Sequence, residues 1–243
     1  MDSLRLKRLM QGMGLVYVLL LIGMVYPGFL TKNTAEAGEQ EISSPNAIAY
    51  VAENMVEKPK IALTFDDGPS KVYTPKLLDG LKERGVKATF FLIGQNIEKD
   101  NNRDIVKRMY EEGHLIGNHT YHHVEITKVS NEKAYEEITM TNDLIKEITG
   151  KDVQFMRPPF GLWQKDLEQK IHVLPVMWSI DPLDWATENV DEIVNKVVTE
   201  AEENDIILLH DCYDSSVDAA LRIIDILQKK GFEFVTVDQL IMN

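Results

Sequence analysis

Two adjacent carboxylates, Asp66 and Asp67, are the first residues in this sequence that could take part in hydrolysis. They follow an apolar run and precede the turn dipeptide Gly68-Pro69. Adjacent side chains at the end of a strand point in different directions, so one carboxylate could hold a cation while the other accepts a proton from water. Asp-Gly-Pro is also ordinary turn chemistry, so the pair needs partners elsewhere in the chain.

Histidines at a spacing suited to a metal ion follow a later apolar run. His119 and His123 are four residues apart, and their imidazoles could reach one cation if the segment is helical or tightly turned. Together with Asp67 they would leave an open position for water, which is typical of a catalytic metal site. The spacing alone does not exclude His122 as a ligand in place of His123.

An arginine and a histidine after two further apolar runs are candidates for supporting roles. Arg157 precedes two prolines and could orient Asp66 by a charge-assisted hydrogen bond, and Phe160 then offers the next free backbone N–H as an oxyanion donor. Asp184 beside His210 would raise the pKa of the imidazole and fix its tautomer, which suits a general acid near neutral pH.

The remaining candidate residues are two apolar side chains, two further histidines and one cysteine. Trp185 and Leu208 could form a slot for a small methyl group. His114 and His172 lack comparable neighbours and are expected to be structural. Cys212 is the only cysteine, so no disulfide can form within the chain, and we expect a small buried thiol there.

These residues follow the apolar runs of an alternating pattern of strands and helices. The predicted strands are Lys60 to Phe65, Ala88 to Leu92, Leu115 to Asn118, Val153 to Met156, Leu174 to Ile180, Ile206 to His210 and Phe232 to Val235. The predicted helices are Thr74 to Arg84, Arg103 to Glu112, Asn131 to Thr149, Gln164 to Lys170, Val190 to Glu203 and Ser216 to Lys230. Several helices are followed at once by glycine, a common C-terminal cap.

The alternation predicts an α/β fold with a parallel sheet, whose sites gather at the carboxyl ends of the strands. About seven units over roughly 190 residues suit a distorted, incomplete (β/α) barrel better than a complete eight-unit one. A doubly wound open sheet is the alternative.

The N-terminus has the composition of an export segment. Arg5, Lys7 and Arg8 precede an uncharged apolar run, and the small residues Ala35 and Ala37 fit a signal-peptidase site. Residues 1–37 are therefore predicted to be a cleaved signal peptide or an uncleaved membrane anchor, 38–57 a polar tether and 58–243 the catalytic domain. Both alternatives place the domain outside the cytoplasm, either secreted or anchored on the outer face of the membrane.

The formal net charge of −13 argues against nucleic acid as a partner, because phosphates require a basic surface. Contact with a membrane is expected only through the N-terminal segment. We expect a monomer.

Taken together, five ordered motifs resemble those of the polysaccharide deacetylases, the NodB-homology or carbohydrate esterase family 4 domain. They are Thr64-Phe65-Asp66-Asp67-Gly68-Pro69, His119-Thr120-Tyr121-His122-His123, Arg157-Pro158-Pro159-Phe160, Asp181 to Trp185 and Leu208-Leu209-His210. The match spans roughly Lys58 to Met242. One departure is Phe160, which stands where tyrosine is common; its proposed role belongs to the backbone N–H.

The resemblance implies a distorted (β/α) barrel with one role for each motif residue. Asp67, His119 and His123 would bind a divalent metal, which decides against His122; zinc is expected, with cobalt, nickel or manganese possible. Asp66 would be the general base and His210 the general acid. Arg157 would orient Asp66, Asp184 would tune His210, and Trp185, Leu208 and Phe160 would contact the acetyl group.

The expected reaction is removal of N-acetyl groups from an amino-sugar polysaccharide. A short tether beside the membrane favours peptidoglycan N-acetylglucosamine as the substrate. Chitin oligosaccharides, acetylated xylan and a non-catalytic wall-binding role are the alternatives.

Overall fold

The computed structural model describes residues 57–167 and 171–242, and within them the secondary structure alternates as predicted. The strands of this part are β1 (Lys60–Asp66), β2 (Thr89–Leu92), β3 (Leu115–Asn118), β4 (Phe155–Met156), β5 (Leu174–Pro175), β6 (Ile206–His210) and β7 (Glu233–Val235). Its α-helices are α1 (Tyr73–Glu83), α2 (Gly94–Ile97), α3 (Asn102–Glu111), α4 (Asn131–Thr149), α5 (Val190–Glu200), α6 (Asp214–Lys229) and α7 (Val237–Ile241).

All seven described strands are parallel and form one sheet in the order β5-β4-β3-β2-β1-β6, with β7 also paired to β1. Ala62 pairs with both β6 and β7, and Thr64 pairs with both β6 and β2. Strands β7 and β2 therefore share one edge of β1, with β7 at its amino half and β2 at its carboxyl half.

The sheet curls because the chain after β5 returns to the opposite edge. Val176 N–H donates to the carbonyl of Met156 in β4, whereas Ile180 forms a parallel bridge to Ile207 in β6. The predicted strand Leu174 to Ile180 is thus divided between the two ends of the sheet. This arrangement confirms the predicted α/β fold with an incomplete barrel, and not the doubly wound alternative.

The core explains why the central strands read as unbroken apolar runs. β1 and β2 are buried over nearly their whole length, as expected for a parallel sheet covered on both faces. Phe65 and Phe90 stack with ring centroids 5.3 Å apart. Helix α4, which borders the site, is capped at its start by Ser130, whose side chain accepts from Lys133 N–H, and at its end by Gly150 with φ 71°.

Several predicted boundaries were wrong. The strand predicted from Val153 is formed only by Phe155–Met156, and the helix predicted from Val190 ends at Glu200 rather than Glu203. A turn intervenes there, in which Glu202 N–H donates to the Asp205 carboxylate. In place of the helix predicted for 164–170 there is a 3-10 turn, Lys165–Leu167, and residues 168–170 are outside the described part.

The predicted export segment, 1–37, and all but the last residue of the tether, 38–57, also lie outside the described residues. Among residues 57–167 and 171–242, no helix has the length and apolar character needed to span a membrane.

Candidate active site

The register of the parallel strands brings the candidate residues to one rim of the sheet. Asp66 at the end of β1 pairs with His210 at the end of β6. Asn118 at the end of β3 pairs with Met156 at the end of β4. His119 and Arg157, the next residue after each of these strands, therefore lie side by side. This rim is the carboxyl end of the sheet, where such sites are expected.

Asp66 is buried and fixed by Arg157. Arg157 Nη1 donates to Asp66 Oδ1 at 2.8 Å and to Thr64 Oγ1 at 2.7 Å, and its other nitrogens donate to the carbonyls of Val176 and Met177. The arginine is fully buried, which lowers its pKa, although the Asp66 charge opposes that shift. One carboxylate oxygen of Asp66 is thereby occupied, and the other, Oδ2, lies 3.8 Å from His119 Nε2.

Asp67, His119 and His123 form a cluster whose ligand atoms all lie within 4.8 Å of one another. Asp67 Oδ1 is 3.4 Å from His119 Nε2 and 3.3 Å from His123 Nε2. It is a buried oxygen that makes no hydrogen bond within the described residues. An orphaned carboxylate oxygen facing two imidazole nitrogens fits a divalent cation with oxygen and nitrogen ligands.

The tautomer of His119 also suits a ligand. Its Nδ1 lies 2.6 Å from the carbonyl oxygen of Arg157, which can only accept, so in the neutral ring Nδ1 carries the proton and Nε2 has the lone pair. Burial lowers the pKa of His123, with the neighbouring His119 adding to that shift. Burial opposes the charged form of Asp67, but the histidines outweigh it and lower its pKa.

The histidine segment is tightly turned and not helical. Thr120 has φ 60° and His123 has φ 56°, left-handed conformations that non-glycine residues seldom adopt. This turn directs His123 to Asp67, while the ring of His122 bonds through Nδ1 to Glu137 at 2.8 Å. The structure therefore brings His123 into the cluster and leaves His122 outside it.

His210 and Asp184 make the predicted contact. Asp184 accepts from the backbone N–H of His210 and lies 2.8 Å from its Nδ1, and His210 Nε2 is 4.0 Å from Asp67 Oδ2. Burial opposes protonation of His210, but the hydrogen bond and charge of Asp184 outweigh it and raise the pKa to about 9. The raised pKa favours the protonated imidazole, and its Nε2 faces the cluster.

A cavity of about 430 Å³ joins these residues, and Leu208, Trp185 and Phe160 line it as well. Leu208 is buried at its base, whereas Trp185 and Phe160 are more than half exposed at its rim. Phe160 has φ 61°, and its ring meets the edge of His123 with centroids 4.9 Å apart.

Several neighbours of the site were not predicted from sequence. Thr64 and Trp178 contact Arg157, Tyr213 lines the cavity, and Glu137 holds His122. Asp211 is fully buried behind the Asp67-Gly68 turn; burial raises its pKa to about 7, and Thr74 donates to it. Two of them carried a positional signal: Thr64 stands within the first motif, and Asp211 directly follows His210 at a strand end.

The residues expected to be structural lie apart from this chemistry. His114 accepts from Ala88 N–H, and burial lowers its pKa to about 4, so it is a neutral core histidine. His172 is exposed beside β5. Burial raises the pKa of Cys212 to about 12, so the thiol is not a ready nucleophile, although the residue is only partly buried.

Comparison with known proteins points to one family. The family model described as polysaccharide deacetylase matches residues 53–177. A peptidoglycan-N-acetylglucosamine deacetylase of Bacillus cereus is 41% identical over 77% of this chain and 70% of its own length. One from Listeria monocytogenes is 39% identical over 74% of this chain, but the match spans only 38% of that longer protein.

A solved structure shows the same fold. The peptidoglycan deacetylase PdaC of Bacillus subtilis is 38% identical, with a TM-score of 0.73 over 76% of this chain and 90% of that one.

Proposed function

Because this chain belongs to the polysaccharide deacetylase family, we propose that it removes N-acetyl groups from the N-acetylglucosamine residues of peptidoglycan. The observation that carries the proposal is the placement of a fixed carboxylate, Asp66, and an imidazole paired with a buried carboxylate, His210, beside one Asp-His-His cluster. Such a set is suited to amide hydrolysis, in which a base can activate water and an acid can protonate the departing amine.

Asp67, His119 and His123 would hold one divalent metal. Members of the family are metalloenzymes, and the ligand set is compatible with zinc as the first choice and with cobalt, nickel or manganese. When bound, the metal would supply Lewis-acid chemistry, lowering the pKa of water and polarising the amide carbonyl.

The protein's own groups would divide the remaining work. Asp66, oriented by Arg157, takes the proton from the attacking water. The backbone N–H of Phe160 donates a hydrogen bond to the oxyanion that develops on the carbonyl oxygen. His210, kept charged by Asp184, gives its proton to the amine, which cannot leave as an anion. Trp185 and Leu208 enclose the acetyl methyl group.

The acid favours an amide over an ester substrate. An alkoxide leaving group needs less protonation than an amine does, so an acetylxylan esterase has less use for a histidine whose pKa is raised to about 9. The names of curated relatives also support peptidoglycan, including one that is called an N-acetylmuramic acid deacetylase. An amino-sugar polymer of the wall is therefore the proposed substrate class.

The proposed place of action is the cell wall. A peptidoglycan substrate lies outside the cytoplasm, in agreement with the export segment predicted for residues 1–37. We propose a monomer that is secreted or anchored on the outer face of the membrane.

Release of acetate from a panel of polymers tests the proposal. Intact peptidoglycan, chitin oligosaccharides and acetylated xylan are each incubated with the full chain, with and without a chelator. We expect chelator-sensitive release to be fastest from peptidoglycan, and mass spectrometry of its muropeptides would show free amines on glucosamine rather than on muramic acid. Faster acetate release from acetylated xylan than from peptidoglycan would make xylan the substrate instead. No acetate release from any polymer would favour a wall-binding protein.

A further inference from the structure

Glu137, on helix α4, is a fully buried acidic residue beside the histidine turn 119–123. Its two carboxylate oxygens both contact His122: Oε2 accepts from the backbone N–H at 2.8 Å, and Oε1 lies 2.8 Å from Nδ1. Lys133, one helical turn earlier, lies 3.1 Å from Oε1 and balances the charge. Burial of a carboxylate costs free energy unless the group is paired and hydrogen-bonded. The partners of Glu137 are His122 in the turn and Lys133 on its own helix.

The turn depends on outside partners for its shape. Two of its residues, Thr120 and His123, have left-handed backbone conformations that cost free energy and persist only where neighbours enforce them. The carbonyls of Thr120 and Tyr121 accept from the first N–H groups of α2, those of Gly94 and Gln95.

Helix α4 holds the opposite side of the same turn. Asn118 accepts from Thr120 N–H through its side-chain oxygen, and its amide nitrogen donates to the Ile138 carbonyl on α4. Glu137 provides the second connection to this helix, at His122, directly before His123. The turn is thus held between α2 on its carbonyl side and α4 on its N–H side.

We propose that Glu137 is a positioning residue for metal binding, which sets the separation and aim of His119 and His123 by fixing the His122 backbone between them. This inference rests on the proposed metal ligands. The backbone hydrogen bond provides most of the effect, because it constrains the chain directly. The imidazole of His122, which is about half exposed, adds a second bond to the same carboxylate.

The test is the affinity for Zn²⁺, measured by chelator competition on the full chain. Glu137→Met fills a similar volume but offers no acceptor, whereas Glu137→Gln keeps one carbonyl oxygen for His122 N–H. We expect zinc affinity to fall about tenfold or more in the methionine variant, within the range for partners that orient metal ligands, and only a few-fold in the glutamine variant. Co²⁺ absorption should show altered ligand geometry in the methionine variant alone.

Two controls separate positioning from general structure. Glu136→Ala removes the neighbouring exposed glutamate, whose ion pair is with Lys133, and should leave zinc affinity unchanged. His122→Ala removes the ring but keeps the backbone bond, and should weaken zinc binding less than Glu137→Met does. The melting temperature of each metal-free variant reports folding independently.

Equal zinc affinity in folded Glu137→Met and wild type would overturn the inference. If that variant does not fold, Glu137→Asp withdraws the acceptors by one methylene while keeping the charge, and wild-type affinity there would overturn it equally. Acetate release is measured in a separate assay, which tests the proposed function independently of zinc binding. Zinc binding that follows the predicted order without any release would refute the deacetylase but not Glu137, and a wild type that binds no metal would refute both.

Discussion

At the scale of single residues, the two adjacent aspartates have opposite surroundings. Asp66 is turned inward, where a buried guanidinium donates to one of its oxygens. Asp67 instead faces two imidazoles with an oxygen that has no hydrogen-bond partner among the described residues. The left-handed backbone of Asp67, φ 70°, produces this divergence immediately after the strand ends. Neighbours in sequence can therefore perform different steps of one reaction.

Substitution of each aspartate should separate metal binding from catalysis. Asp67→Ala removes the shared ligand and should abolish both zinc binding and acetate release. Asp66→Asn keeps the shape of the side chain and should leave zinc affinity within a few-fold of wild type while lowering kcat by about 10²-fold or more, the usual contribution of a general base. Chelator competition and acetate assays on the same preparations measure the two effects. Equal loss of metal in both variants would contradict the division.

The pH dependence of activity should report the pair His210 and Asp184. A general acid must be protonated, so activity is retained below the pKa of His210 and is lost as pH rises through it. Asp184→Asn keeps a hydrogen-bonding group but removes the charge that raises this pKa against burial. The alkaline limb of kcat/KM should therefore move to lower pH in the variant, and an unchanged limb would assign it to another group.

Residue types and spacing were sufficient to propose most of this site. The aspartate pair and the histidines are local patterns, and each directly follows an apolar run. Spacing did not separate His122 from His123, because their directions depend on left-handed backbone angles within the turn. Nor did sequence reveal Glu137, which meets the turn from a different helix, or Thr64, whose hydroxyl faces Arg157 only once β1 and β4 share a sheet.

At the scale of elements, strand ends were predicted more reliably than strand lengths. The site needs only the carboxyl ends, and those of β3 and β6 were placed correctly at Asn118 and His210. β4 and β5 are strands of only two residues, shorter than the predicted Val153 to Met156 and Leu174 to Ile180. Helix α2 was missed, since four residues are too few to show helical periodicity.

The turn after β1 should tolerate no side chain at Gly68. A Cβ there would lie 2.4 Å from Asp211 Oδ1, and that buried carboxylate has little room to move. Gly68→Ala should displace the turn, and with it Asp67, so that zinc affinity falls by about tenfold.

Gly85→Ala is the matched control. Its added Cβ meets nothing within 4 Å, but its φ of 65° costs a non-glycine residue about 1 kcal/mol of stability. It should lower the melting temperature without changing zinc affinity. If both variants bind zinc with wild-type affinity, close packing between Gly68 and Asp211 is not needed to position Asp67.

At the scale of the whole molecule, the metal would join loops that follow β1 and β3. A ligand that binds only the folded state stabilises it by mass action, by about 2.7 kcal/mol at a free concentration of 100 times Kd. For a domain of this size that corresponds to roughly 5 to 10 °C in melting temperature. Calorimetry with zinc and then with chelator should show this shift in the wild type and not in Asp67→Ala. A shift retained in the variant would place the metal elsewhere.

The fold class could be predicted because alternation of strands and helices is a property of the entire chain. The number of strand–helix units predicted that the barrel would be incomplete. It did not predict how the sheet curls. The segment 174–180 reads as one apolar strand, yet its beginning pairs with β4 and its end with β6. Pairing of this kind depends on the curvature of the sheet, which no local pattern records.

Arg157 has a consequence for how the protein acquires activity. Its guanidinium bonds to Thr64 and Asp66 on the first strand, and to carbonyls that follow the fifth, so its partners come from segments that are far apart in the chain. Contacts between distant parts of a chain form late, because closing long loops is slow. Until both halves of the sheet have assembled, Asp66 lacks its orienting partner, so a folding intermediate should be inactive however much of its helix content it has gained.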